Sequence, residues 1–337
     1  MSFDLQMARG HGKGFNLAIG EPFFLQETLL DAIRLRSIKR ELHYPQVGGE
    51  PELIDLLNAL HFEYKYVVVT NGAKQGLEAA FYAMKKVEDR INLRHLAPYW
   101  PSYPTLAKAR GLAFVPVWDG GFGVRREYDI RVVTSPNNPD GSELFEDEPY
   151  DIWDAAYASD VYGWSGVPPD HRVAVFSAAK MLGLSGARVG WVCTNDEKIA
   201  REVGYFVEIT TSGVSVLSQL HVAGCLHGMF NKDYSQAMLD ATAAAQARLH
   251  QNGDYFMDSI AALCTTVDGQ PKSRRGMFAW FKPLNLDKFE KALAASEVRV
   301  VTGEACGLSG WFRMSMGHRN QYTLEALTAL RTAYDAI

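Results

Sequence analysis

Apolar and polar positions along this chain follow two periods, and the switch between them marks out its elements. Tyr66–Thr70 (YVVVT) is an unbroken apolar, β-branched run and predicts a buried strand. Asn71-Gly72 follows, and then Leu77, Ala80, Phe81 and Met84 recur on one face of a helix predicted from about Lys74 to Lys85. Ala113–Val117 predicts a second strand. Arg131–Thr134, closed by Pro136 and Pro139, predicts a third, and Val173–Phe176 and Arg188–Cys193 two more. Strands alternating with helical stretches indicate parallel βαβ units. After about residue 225 the pattern changes. A helical stretch rich in Ala, Gln and Leu spans roughly Lys232–Asn252, strands follow at Phe278–Phe281 and Val298–Val301, and a last helix starts near Tyr322. This part reads as a smaller α+β domain behind a larger α/β one.

Composition narrows the class. The chain has 337 residues, too many for one small core, and its net charge of −5 does not favour a general nucleic-acid binder. Cys193, Cys225, Cys264 and Cys306 are far apart and form no C-x-x-C pair, which predicts free thiols in a reducing compartment. The N-terminal MSFDLQMARGHGKG has no apolar core of the signal-peptide kind, and no apolar run reaches membrane-spanning length. A cytoplasmic protein is expected. No H-E-x-x-H or Cys/His cluster suggests a metal, and Gly120-Gly121-Phe122-Gly123 lacks the third glycine and the helix of a dinucleotide fingerprint.

Five segments carry candidate chemistry. Ser177 to Gly190 (SAAKMLGLSGARVG) follows an apolar strand and sets Lys180 among small and apolar residues. A lysine drawn out of water loses proton affinity and becomes an amine able to form an imine, while Ser177 and Arg188 suit an anion. Thr70-Asn71-Gly72-Ala73-Lys74-Gln75 joins a strand to a helix whose free N–H groups can bind phosphate. Asn138 stands in the rigid turn Ser135-Pro136-Asn137-Asn138-Pro139. Asp154 and Tyr157 pair a carboxylate with a phenol, and Pro98–Pro104 (PYWPSYP) offers flat rings. Taken alone, each segment is equally a cap, a turn or core packing.

In this order the five resemble fold-type I enzymes that use pyridoxal 5'-phosphate (PLP), in the class I/II aminotransferase branch. Ser-x-x-Lys-x-x-Gly-Leu-x-Gly-x-Arg-x-Gly is that family's lysine motif, and the resemblance runs from about Phe15 to Met316. It implies a three-layer α/β/α large domain with a mostly parallel sheet over 36–225. A small domain would then comprise 1–35 and 226–337. It implies Lys180 as Schiff-base lysine and proton carrier, and Asp154 as partner of the pyridine nitrogen. Tyr157 and Asn138 would bond the 3′-oxygen, and Trp100 would be the stacking ring, with Tyr99 as alternative. Gly72, Ala73 and Lys74 would form the phosphate loop, completed by Ser177 and Arg188. Tyr44 would reach the phosphate in a neighbouring subunit, implying a homodimer with shared sites. Arg313 would grip the α-carboxylate of an amino-acid or keto-acid substrate, near the backbone of Ala18 in the covering segment Asn16–Pro22.

The chain also departs from the family. Few residues separate Val117 from Arg131, Asn138 from Asp154, or Asp154 from Lys180, so peripheral helices are expected to be missing. Asp140 stands where Thr is usual, and Ala155 where an acidic residue is common. Fold does not fix reaction, so an α-decarboxylase or a lyase, acting on a bulky or tethered amino group exposed by the trimmed rim, is the alternative. Arg274, Arg275 and Arg319 are candidates to read an acidic side chain, with solvated surface as their ordinary fate.

Overall fold

The computed structural model describes residues 14–18, 20, 22, 43–118, 121–123, 125–144, 149–230, 232–265 and 276–337. Residue 36, expected to open the large domain, lies outside them, as do Glu21, Arg274 and Arg275. In chain order the elements are β1 (Phe15–Asn16), α1 (Pro51–Leu60), β2 (Tyr66–Thr70), α2 (Gly72–Glu88), β3 (Asn92–Leu96), α3 (Tyr103–Ala109), β4 (Ala113–Val117), β5 (Asp129–Thr134), β6 (Tyr150–Asp154) and β7 (His171–Ser177). Then come α4 (Ala178–Met181), β8 (Gly190–Thr194), α5 (Glu197–Thr211), α6 (Val216–Phe230), α7 (Lys232–Ser259), β9 (Phe278–Phe281) and α8 (Leu286–Ser296). The chain closes with β10 (Val298–Arg299), β11 (Val301–Thr302), β12 (Phe312–Ser315) and α9 (Asn320–Ala336).

Seven strands form one sheet in the order β2-β8-β7-β6-β5-β3-β4. β4, β3, β5, β6 and β7 run parallel, and β8 runs against both its neighbours, β7 and β2. Every residue of β5, β6 and β8 is buried, as strands covered on both faces must be. Helices α2, α3 and α5 pack with one face: Leu77, Phe81, Leu106, Val203 and Phe206 join Val132, Ile152, Val175 and Val192 in one core cluster. The other face carries α1, α6 and irregular chain around Trp153, Tyr162 and Trp191. The α/β class and mostly parallel sheet therefore stand as expected.

Between β4 and β7 the described residues contain no α-helix, only a 3-10 turn at Asp160–Tyr162. The trimming foreseen from the short spacings is thus a feature of three successive connections. No helix among the described residues is long and apolar enough to cross a membrane. All four cysteines are free and buried.

Two expected strands need correction. Arg188–Cys193 begins only at Gly190, because Arg188 takes a left-handed backbone (φ 55°) that no strand continues through. Val298–Val301 is two pieces with different partners: Val298–Arg299 runs parallel to β1, and Val301–Thr302 runs antiparallel to β12. β12 also pairs with β9, completing a three-stranded antiparallel sheet.

The register puts the chemistry on one edge. Thr134 lies beside Asp154, Ser177 beside Gly190, and Gly190 beside Thr70. These are the carboxyl ends of β5, β6, β7 and β2, the rim outside which open α/β sheets bind ligands. The amino-terminal segment crosses this edge. Leu17 N–H donates to the Arg299 carbonyl at 2.9 Å, and Ser315 N–H donates to the Leu17 carbonyl at 2.7 Å.

Candidate active site

At one end of the edge, β2 turns into α2 through Gly72, whose φ of 77° suits glycine. Arg188 sits so close that a side chain at Gly72 would collide with its guanidinium. A side chain at Gly190 would strike the Ala73 backbone nitrogen and the Phe176 carbonyl. Two glycines thus let the first turn of α2, Arg188 and the buried Ser177 converge on one cup. Backbone N–H groups at a helix N-terminus together with a guanidinium make this a site for an anion such as phosphate. Gln75 Oε1 takes up the Asn71 N–H at 2.6 Å and fixes the turn. Lys74 Nζ lies 5.1 Å from the centre of the Trp100 ring.

Asp154 is buried in the middle of the edge. Its Oδ1 accepts the Ala156 N–H at 3.2 Å, and its Oδ2 lies 2.7 Å from the Tyr103 hydroxyl. Burial pushes the carboxyl up to about 6, against the opposing pull of Tyr103, the Ala156 N–H and the Lys180 charge. A buried carboxylate of raised proton affinity is the partner a basic ring nitrogen needs.

Lys180 lies in the short α4 immediately after β7. Tyr162 donates to its carbonyl at 2.8 Å, and its Nζ donates to the Gly20 carbonyl and stands 5.8 Å from the Tyr157 ring centre. Tyr157 is packed edge-on against Phe278, and burial raises its phenol. Asn138 joins the two sides of the site. Its Nδ2 faces the Tyr157 hydroxyl at 3.4 Å, and its Oδ1 accepts from Arg313 at 2.7 Å.

Arg313, from β12, is buried, yet among the described residues no carboxylate pairs with it. Its second donor goes to the Ala18 carbonyl at 2.6 Å, its face lies 4.3 Å over Phe278, and its Nε–H has no partner. Burial lowers its proton affinity, as expected for a cation held by neutral groups. Such a guanidinium binds a carboxylate well, because its desolvation is already complete.

The residues expected to act together are therefore together, with qualifications. Ala18 holds Arg313 through its carbonyl, and its N–H is taken by Asn16 Oδ1 at 3.1 Å, so both its backbone groups are engaged within the chain. Tyr99 is committed to packing, edge-on to Phe114 and against Gly307, which leaves Trp100 as the freer ring. Tyr44 is 87% exposed. Asp140, the departure from Thr, accepts from Asn137 and Ser142 and holds the turn before it. Tyr103, Thr134 and His95, behind Asp154, were not anticipated. Tyr103 lies in the aromatic segment, but nothing in the sequence signals its link to Asp154, 51 positions on.

An anion cup, a lysine amine and a buried carboxylate along the sheet edge, faced by the buried guanidinium of Arg313 from β12, fit the phosphate, aldehyde and ring nitrogen of PLP and the carboxylate of its substrate. The profile of the family described as aminotransferase class I and II matches residues 12–330. Over 352 residues the chain is 28% identical to aspartate/prephenate aminotransferase of Thermus thermophilus, covering 92% of this chain and 88% of that one. It is 34% identical over 192 residues to tryptophan aminotransferase-related protein 2 of Arabidopsis thaliana, but that match spans 52% of this chain and only 43% of the plant protein. The fold superposes on aspartate aminotransferase of Rhizobium meliloti with a TM-score of 0.74 at 20% identity, covering 99% of this chain and 94% of the other. Tyrosine aminotransferase of Leishmania infantum gives 0.74 at 17% identity, covering 97% and 93%. By its matched profile, its fold and its site, the chain belongs to the class I and II aminotransferase family of PLP-dependent enzymes.

Proposed function

We propose that this protein is an aminotransferase that moves an amino group between an amino acid and a keto acid. The observation that carries the reading is Arg313, a buried guanidinium with neutral partners and an unused N–H, joined through Asn138 to Tyr157. It supports a substrate bearing a carboxylate.

When bound, the cofactor supplies the electron sink for the carbanion formed at the substrate Cα. Gly72, Ala73, Lys74, Ser177 and Arg188 would hold its phosphate, and Asp154 would pair with its ring nitrogen. Tyr157 and Asn138 would bond its ring oxygen, and Trp100 would be the stacking ring. Lys180 Nζ would be the amine that holds its aldehyde carbon, and as a free amine would take the Cα proton as a base and return it as an acid. Arg313 fixes the carboxylate, which turns the Cα–H toward Lys180. The segment through Ala18 and Gly20 roofs the site and excludes water.

The reading extends to organisation. Residues 36–225 form the cofactor-binding domain, and 1–35 with 226–337 the small one. Two copies pair, each lending Tyr44 to the other's phosphate. In support, Tyr44 and Val47 are exposed, Val47 packs beside Gly204 of α5, and Tyr205 and Ile209 of that helix are exposed as well. Four free, buried thiols agree with a cytoplasmic location.

The test is a half-reaction. Protein loaded with PLP receives one amino acid at a time, without an amino acceptor. One equivalent of keto acid per bound cofactor, with the pyridoxamine form left behind, is expected. Release of carbon dioxide or ammonia instead would assign the chain to decarboxylation or elimination.

A further inference from the structure

Behind Asp154 lies a line of buried groups that the proposed mechanism does not use. Asp154 Oδ2 is 2.7 Å from the Tyr103 hydroxyl, which is 2.7 Å from Thr134 Oγ1. Thr134 Oγ1 is 3.0 Å from His95 Nε2, and His95 Nδ1 is 2.8 Å from the Leu96 carbonyl. His95 and Tyr103 are fully buried, and Thr134 and Asp154 nearly so. The line joins β3, α3, β5 and β6, and its ends, His95 and Asp154, lie 59 positions apart.

Counting protons along this line gives a definite result. Four contacts need four protons, one in each. Tyr103 and Thr134 bring one each, and neutral His95 brings one, which the Leu96 carbonyl requires on Nδ1 because a carbonyl only accepts. That makes three. Without a fourth, two lone pairs would face each other at hydrogen-bond distance in a buried site, which is strongly unfavourable. The fourth proton has two places. On Asp154, the donors run Asp154 to Tyr103 to Thr134 to His95 Nε2. On His95, they run in reverse, from imidazolium Nε2–H to an Asp154 carboxylate. The two arrangements differ by one proton shifted in each of three contacts, and no contact is lost in either.

We propose that His95 and Asp154 share one proton through Thr134 and Tyr103, and that binding of the cofactor moves it from Asp154 to His95. This rests on the reading of Asp154 as the partner of the ring nitrogen. Before loading, burial favours the neutral arrangement. It pushes Asp154 up to about 6 and His95 down to about 4, so of the two the acid is the better holder of the shared proton. The other groups facing the line do not reverse this: Tyr99 packs edge-on to His95, Lys180 acts on Asp154, and Tyr157 acts on Tyr103. A protonated ring nitrogen beside Asp154 Oδ1 changes the balance, because a carboxylate then pairs with a cation. The proton leaves Oδ2 for Tyr103, the Tyr103 proton passes to Thr134, and the Thr134 proton passes to His95 Nε2. His95 is thus a positioning residue. It accepts the charge that lets Asp154 bind the ring as a carboxylate, and its imidazolium then moderates that carboxylate.

The test is nitrogen-15 NMR of the histidine rings in the full-length protein, before and after loading with PLP labelled at the ring nitrogen. His95→Gln identifies the signal. The expected result is a neutral His95 protonated on Nδ1 before loading and doubly protonated after it. Thr134→Val cuts the line, and His95 should then stay neutral in both forms. A His95 signal in the same protonation state in both wild-type forms overturns the proposal. The ring label separates this from failure of the underlying reading. If Asp154→Asn changes the label's protonation while His95 stays constant, only the relay is wrong. If the label ignores Asp154→Asn, the assignment of Asp154 is wrong and the relay falls with it.

Discussion

The two walls of the site differ in how their parts are brought together. On the sheet wall, Thr134, Asp154, Ser177 and Gly190 stand on adjacent strands, and strand register sets their spacing. On the opposite wall, Arg313 is held by Asn138, 175 positions away, and by Ala18, 295 positions away. The first wall is organised by a hydrogen-bonded backbone that exists whether or not a ligand binds. The second depends on single contacts from three distant segments. A change in the first should therefore disturb fold and cofactor together, whereas a change in the second should disturb substrate and leave the sheet intact.

The largest effect expected is on the sheet wall. Lys180→Ala should cost at least about 10³-fold in turnover, measured as keto acid formed, since in the proposed reading it removes both the covalent anchor and the proton carrier. On the opposite wall, Arg313→Ala should lower kcat/KM for amino acids by about 10²- to 10³-fold, the usual cost of truncating one partner of a buried charge pair. Its KM should rise while cofactor affinity and the unfolding midpoint stay close to wild type. Arg313→Lys keeps the charge but loses the fork, and should recover only part of the loss. A fall in cofactor affinity equal to that of Lys180→Ala would break the distinction between the walls.

Acid provides a third comparison. His61, which accepts from Trp191 beneath the sheet wall, and His318, beside Tyr322 near the amino-terminal segment, are both held down to about 4 by burial. Their folded-state values lie below the unfolded value of 6.5, so the unfolded chain binds more protons between pH 6.5 and 4. Stability is therefore present above about 6.5 and is lost as pH falls through that window, by up to about 3 kcal/mol for each histidine. Urea unfolding of the unloaded protein at pH 7.5 and 4.5 measures this. Asp154, with its raised value, works in the opposite direction between about 4 and 6, and two histidines outweigh one carboxyl.

Smaller effects sharpen the picture. Gly190→Ala should cost about 1–3 kcal/mol in urea unfolding, because the new methyl group meets backbone at Ala73 and Phe176 that cannot give way. Tyr44→Phe should weaken cofactor binding only about fivefold, for the loss of one hydrogen bond across the proposed subunit boundary. Equilibrium dialysis at protein concentrations above and below dimer dissociation would separate the two contributions.

Much of the sheet wall was legible in the sequence. Strands such as Tyr66–Thr70 and Val173–Phe176 are largely apolar because both faces are covered, and the run from Ser177 to Gly190 carries the spacing of the family's lysine motif. β6 was not legible. Tyr150-Asp151-Ile152-Trp153-Asp154 carries two acids, yet every residue is buried. Asp151 is neutralised by Arg125 at 2.6 Å with Arg172 at 3.6 Å, and Asp154 belongs to the site. β3, Asn92–Leu96, reads as a polar alternation because Arg94 reaches across to Asp129. The link from His95 to Asp154 crosses four elements, so no local pattern contains it. Val298–Val301 looks like one strand because its apolar character continues while its partner changes.

The most direct test of the central claim is borohydride reduction of the PLP-loaded protein, followed by peptide mapping of the attached pyridoxyl group. The label should be found on Lys180 alone, at one per chain, and Lys180→Ala should carry none. A label on Lys74, which lies beside Trp100 in the same site, or one spread over surface lysines, would contradict the assignment of Lys180 and with it the proposed chemistry.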